Sequence, residues 1–273
     1  MPGSLEPTDV ATFLLLGDVR IHGPWQGSLT LGSRKVLALL LMAGDTSGMH
    51  VDSIAEHLWG PARPASCNQM IRSHVMALRM ALPPDRAHIT HSRASGYRIH
   101  HEPHDVDAHL FEHRIHQGRD SIRAGRGMEA VDHLNNGLRL WRSNVAMADV
   151  QDVLVLQGQT ARLHELRLQA EEFLVEARLQ SQHGDAQLLV PGLMHLTHVH
   201  PFRERLLAQL MIALYASGRR IEALSVYTRT RRRFIEDAGI EPSEYLQRVH
   251  QAILNGEEYR SIIAVSSTFM RCA

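Results

Sequence analysis

Ser66-Cys67-Asn68-Gln69-Met70-Ile71-Arg72-Ser73-His74-Val75-Met76-Ala77-Leu78-Arg79-Met80-Ala81-Leu82 decides the fold of the N-terminal part of this chain. Ser66 is placed to open a helix, and Pro83-Pro84 ends it after Leu82. Ile71, Val75, Leu78 and Leu82 recur at i, i+4, i+7 and i+11, one apolar stripe that must face a core. The opposite face carries Gln69, Arg72, Ser73, Met76, Arg79 and Met80. Gln and Arg are the side chains that bond adenine and guanine edges in pairs in the major groove.

Upstream, Thr12–Leu16, Val19–Ile21 and Ser28–Leu31 read as short strands, with turns at Gly17-Asp18, Gly23-Pro24 and Gln26-Gly27. Ser33 is expected to cap a helix from Arg34 to about Met42, ended by Gly44. Asp52 is expected to cap another from Ser53 to Trp59, stopped by Gly60-Pro61. Downstream, Ile89-Thr90 and Tyr97-Arg98-Ile99 flank Ser92–Gly96 as a hairpin. Strands, three helices and a hairpin make a winged helix-turn-helix, whose third helix enters the major groove. The DNA-binding residues expected on that basis are Gln69, Arg72, Ser73, Met76 and Arg79 on the helix. Arg93 joins them at the hairpin tip, and Arg34 and Lys35 sit at the start of the first helix, where backbone N–H groups also favour a phosphate.

Composition agrees. The 273 residues carry 29 basic and 29 acidic groups, and Lys35 is the single lysine. Residues 61–100 concentrate six arginines (63, 72, 79, 86, 93 and 98) against one acid, Asp85. The longest apolar run, Val36–Ala43, is far short of the roughly 20 residues of a membrane span. Glu6 and Asp9, with no early basic residue, do not read as a secretory signal. Cys67 and Cys272 cannot build a disulfide framework, so a reducing cytoplasm is expected.

After about residue 104 apolar residues recur at helical spacing to residue 254. Gly184 and Gly218 lie 34 residues apart, the period of a tetratricopeptide helix pair. Five residues after Gly218 stands Ala223, and five after Gly125 stands Ala130; Tyr227 and Leu134 hold the large position nine after each glycine. In the middle copy Leu189 replaces the alanine and Pro191-Gly192 should kink the second helix. The expected organisation is a DNA-binding domain over 1–103, a tetratricopeptide-like domain over 104–256 and a mobile tail over 257–273, a mainly α fold with a small β component.

Other constellations carry less. His109, His113 and His116, and His195, His198 and His200, have metal-like spacing, but no Cys or carboxylate completes a set; exposed surface accounts for them. Trp59 and Trp141 read as packing anchors, and Cys67 as a small buried residue. Arg229, Arg231, Arg232 and Arg233 fit a solvated helix face or an extra DNA or polymerase contact. There is no G-x-x-x-x-G-K, G-x-S-x-G or H-E-x-x-H, so neither an enzyme nor a cofactor is expected. A different class of reading is an interaction scaffold, with a tetratricopeptide-like array and a winged helix that binds protein.

Ser73–Leu82 and Ser92–Ile99 resemble the recognition helix and wing of OmpR-type domains. Asp105-Val106-Asp107-Ala108-His109-Leu110-Phe111, Leu140-Trp141-Arg142, Phe202–Met211, Gly218–Leu224 and Gly239-Ile240-Glu241-Pro242 resemble a bacterial transcriptional activation domain. Over residues 10 to about 254 the pairing is similar to the Streptomyces antibiotic regulatory protein family. The resemblance implies an activator of a secondary-metabolite gene cluster. Such a protein binds direct repeats near promoters, side by side with a second protomer, and recruits RNA polymerase holoenzyme with its sigma factor. It also implies a cytoplasmic, nucleoid-associated protein with no membrane partner. Where the family resembled usually carries basic residues, at 76 and 77 and at 80, this chain has Met76, Ala77 and Met80. A fragment ending near His104 is expected to keep sequence recognition but to lose activation and some affinity.

Overall fold

Thr30 starts the first long helix. Its hydroxyl accepts the Ser33 N–H at 3.2 Å, and α1 runs Leu31–Ala43. Neither the expected cap at Ser33 nor a strand over 28–31 forms, because Thr30 satisfies a helix-end donor that a two-faced strand would leave unused. Ser33 is instead buried, with Oγ 3.1 Å from His74 Nδ1. Helix α2 spans Val51–Trp59, earlier than expected, and Asp52 sits in its first turn, where the helix dipole favours a carboxylate. Helix α3 spans Cys67–Ala81 and buries Ile71, Val75 and Leu78 as its apolar stripe requires. In this computed structural model, the described residues are 11–23, 27–44, 47–181, 186–259 and 261–263. Glu6, Asp9, Pro24, Gln26, Gly184, Cys272 and most of the 257–273 segment lie outside them.

Helices α1, α2 and α3 pack together around Val36, Leu37, Leu40, Ile54, Ile71 and Leu78. Each such side chain, fully buried, stabilises the fold by roughly 2 kcal/mol over its exposed state. Strands β1 (Phe13–Leu14) and β2 (Arg20–Ile21) pair antiparallel. Strands β3 (His88–Ser92) and β4 (Gly96–His100) form the wing, with Ser92 opposite Gly96. Tyr97 also exchanges backbone hydrogen bonds of 2.7 and 2.9 Å with Met49. Gly96 has φ +72°, and a Cβ there would lie 2.2 Å from the Met49 carbonyl oxygen, so only glycine closes this turn.

Two compact units divide the chain: Met1–Gln117 with Asn135–Gln169, and Gly118–Leu134 with Ala170–Ala273. The division falls inside α4 (Asp107–Arg123), α5 (Gly127–Leu138) and α6 (Leu154–Gln180). In the first unit, two buried carboxylates join the N-terminal strand to α4. Asp107 accepts the N–H groups of Leu15 at 2.7 Å and Leu16 at 3.1 Å, with Arg142 at 3.4 Å. Asp105 accepts the Thr12 hydroxyl at 3.1 Å, the Glu102 N–H at 3.0 Å and Arg86 at 3.3 Å. Val106 between them bridges Phe13 in parallel register. Trp141 packs edge-on against Phe111 and His164, each ring centre 5.6 Å away, as a packing anchor should.

The second unit holds the helical repeats. Gly125 and Gly218, at φ +72° and +75°, make the turns, and Ala130 and Ala223 five residues on are fully buried. Helices α7 (Ala186–Val199), α8 (Glu204–Ala216), α9 (Arg220–Arg233) and α10 (Glu244–Asn255) complete it. Pro191 lies within α7 without interrupting it. Each charged residue of Phe202-Arg203-Glu204-Arg205 has a structural task. Arg203 donates to buried Glu172 at 2.6 Å, and Arg205 donates to Glu176 at 2.7 Å and stacks on Phe173. Glu204 accepts the Ser243 N–H at 2.9 Å at the start of α10. Burial pushes the Glu176 carboxyl up, against the lowering effect of Arg205. No helix among the described residues is long and apolar enough to cross a membrane.

Removing the Asp107 carboxylate strands two buried N–H groups and the Arg142 guanidinium. We expect Asp107→Ala to lower stability by about 3 kcal/mol in denaturant unfolding. A fragment ending at His104 loses both carboxylates, so it should melt well below a fragment that extends through residue 169, followed by circular dichroism.

Candidate nucleic-acid interface

Helix α3 presents one continuous exposed stripe. Gln69, Arg72, Ser73, Met76 and Met80 fall at i, i+3, i+4, i+7 and i+11, within an arc of about 100°. All five are exposed, with Met76 at 61% and Met80 at 72%. Ser73 Oγ donates to the Gln69 carbonyl at 3.1 Å, which leaves its oxygen able to accept. The apolar stripe opposite holds α3 on the core, so this face is rigidly presented.

The eight residues expected to bind DNA do not share one situation. Gln69, Arg72, Ser73 and Met76 lie together on the exposed stripe. Arg93 is exposed at the wing tip, in the turn between β3 and β4. Neither Arg72 nor Arg93 pairs with a carboxylate among the described residues. Arg79 is turned differently: its Nε and Nη2 donate to the Ile89 carbonyl at 3.2 and 3.0 Å, tying α3 to the wing. Arg34 forms an ion pair of 2.6 Å with Asp149, and Lys35 pairs with Asp152. Asp149 also accepts the Val19 N–H at 2.9 Å. The cations at the start of α1 therefore already face carboxylates.

Three further residues shape this candidate site, and no sequence motif marks them. His50 Nε2–H donates to the Ala94 carbonyl at 2.9 Å and holds the wing turn. Arg63 pairs with Asp52 and donates to Cys67 Sγ at 3.2 Å, which ties the segment before α3 to α2. His74 lies half-buried over Gly32, where an added Cβ would come within 2.5 Å of the ring. Burial holds the His74 imidazole below its ordinary 6.5. The late arginines are mostly paired: Arg231 binds Glu241 through two contacts of 2.7 and 2.5 Å, and Arg233 binds Asp237 at 3.2 Å. Among the described residues no cluster of three or more His, Cys, Asp or Glu is arranged to hold a metal.

Two outcomes follow for folding. Arg79→Ala should cost about 1–2 kcal/mol of stability, because the Ile89 carbonyl loses a charged donor, whereas Arg72→Ala should leave the thermal midpoint unchanged. The His74 contribution has a defined sign. A depressed folded value gives stabilisation that is complete above 6.5 and is lost as pH falls through that lower value. His109, His164 and His250 are shifted the same way by burial. Denaturant midpoints measured from pH 7.5 down to 5 should therefore fall, and His74→Gln should flatten part of that fall.

Residues 106–254 match the family model described as "Bacterial transcriptional activator domain". The chain is 35% identical over 257 residues to the regulatory protein AfsR of Streptomyces griseus, covering 92% of this chain and 25% of AfsR. It therefore spans about a quarter of that relative. It is 30% identical over 232 residues to the regulatory protein DnrI of Streptomyces peucetius, covering 82% of this chain and 84% of DnrI. The structure of Mycobacterium tuberculosis EmbR in complex with a low-affinity phosphopeptide superposes with a TM-score of 0.83 at 28% identity. It covers 95% of this chain and 70% of EmbR.

Proposed function

Because this chain belongs to the Streptomyces antibiotic regulatory protein family of transcriptional activators, we propose that it recognises direct repeats near the promoters of a secondary-metabolite gene cluster and activates them. One observation carries the DNA reading: a rigid exposed helix stripe with Gln69, Arg72 and Ser73 stands beside a hairpin that lifts Arg93 from its tip. In this reading α3 lies in the major groove, Arg72 and Gln69 bond base edges, and Arg93 meets a phosphate or the neighbouring minor groove. Arg79 orients the wing on α3 in addition to any contact with DNA. Arg34 and Lys35 meet phosphate only by exchanging their carboxylate partners, so their share of the affinity is small.

The helical second unit supplies protein contacts. A second protomer sits side by side on the adjacent repeat, and RNA polymerase holoenzyme with its sigma factor docks beside them, in the cytoplasm and on the nucleoid. Coupling between protomers of a typical 1–3 kcal/mol raises occupancy of the second repeat about 5- to 150-fold. If the chain is instead an interaction scaffold, no sequence-dependent DNA binding survives moderate salt.

Footprinting with purified full-length protein tests this. Arg72→Ala should weaken sequence-specific binding by about 1–3 kcal/mol and relax preference at one position. Arg93→Ala should weaken all sequences alike and reduce the slope of log K against log salt by about 0.9. Equal shifts of specific and random DNA by wild type would exclude this function.

A further inference from the structure

Met76 and Met80 are the most exposed large apolar side chains on α3, and they lie one turn apart in the C-terminal half of its exposed stripe. Their neighbours on that face are Gln69, Arg72 and Ser73, so the stripe is polar at its N-terminal end and apolar toward its C-terminal end. Neither methionine contributes to the core, which the opposite face of α3 completes with Ile71, Val75 and Leu78. We propose that Met76 and Met80 are specificity-determining residues that pack against the C5-methyl groups of thymines in the major groove. The inference rests on the DNA-binding reading above.

The chemistry of the groove selects this ligand. Base edges there present donors and acceptors, and the thymine methyl is their apolar feature. A thioether side chain offers no N–H or O–H. Placed over guanine N7 and O6, it displaces water and bonds nothing in return, which is unfavourable. Placed over a methyl, it removes apolar surface from water on both partners. Methionine's unbranched chain also adapts to the spacing of successive methyls. Met76 and Met80 therefore favour thymine by attraction and disfavour G·C pairs by stranding their polar edges. Arg72 and Gln69, a turn or two earlier, read the hydrogen-bonding part of the same site.

The experiment uses full-length protein and duplexes selected from a random pool, with single thymines replaced by deoxyuridine, which removes only the methyl. Deoxyuridine at the contacted positions should lower wild-type affinity about fourfold per methyl. Met76→Ala and Met80→Ala should each bind the thymine duplex less tightly and become indifferent to deoxyuridine at one position. Their exposure makes loss of folding no explanation, and thermal midpoints equal to wild type will verify this. A 5-methylcytosine arm isolates the methyl: with cytosine in place of a contacted thymine, methylation of that cytosine should recover about fourfold in affinity. No recovery there would overturn the methyl contact. Sequence-specific binding that Arg72→Ala weakens but deoxyuridine leaves untouched would overturn the methionine inference and keep the DNA reading. Absence of specific binding by wild type would remove both.

Discussion

The first unit depends on burying carboxylate charge beside backbone donors. Asp107 takes two N–H groups from the strand end at Leu15 and Leu16, and Asp105 takes the Thr12 hydroxyl two residues before Leu14. A two-stranded ribbon as short as β1–β2 is too small to be stable alone. It is held because α4 begins at the residue that caps its loose end. Burial by itself raises the Asp107 pKa; the Leu15 and Leu16 donors and Arg142 work in the opposite direction. The winged helix thus carries its anchor in residues that follow the wing in sequence.

The same economy governs the arginines. Of the basic groups between residues 61 and 100, Arg63 braces Cys67, Arg79 braces the wing and Arg86 meets Asp105. Arg72 and Arg93 are exposed and form no ion pair among the described residues. A local excess of positive charge is therefore a poor measure of how many cations are available to an anionic partner. The useful measure is which guanidiniums remain once the fold has used the others.

Periodicity made much of this legible. The apolar stripe of α3, the hairpin around Ser92–Gly96 and the glycine-plus-five pattern at Ala130 and Ala223 are all consequences of local spacing, and local spacing is what a sequence displays. Thr30 and Ser33 are both good caps by residue type, and the burial of Ser33 against His74 is what chooses Thr30 as the start of α1. The ties of Arg34 to Asp149 and Lys35 to Asp152 span more than a hundred residues, and Arg79 with Ile89 crosses from helix to strand. Such pairings follow from tertiary packing, and no spacing rule announces them. His50 on the wing turn is hidden for the same reason.

The ion cluster around Glu172 has an evolutionary consequence. Arg203 and Arg205 both approach this buried carboxylate, at 2.6 and 3.6 Å, and Arg205 also serves Glu176. Loss of one member leaves partly buried opposite charge uncompensated, at a cost of roughly 3–5 kcal/mol, a large share of the stability of an ordinary domain. Replacement of the whole set by apolar residues of similar volume is far less harmful. Single-step drift at these positions is therefore blocked, while a concerted change is open. The four residues form one heritable character, and their arginines should persist in any lineage that keeps Glu172.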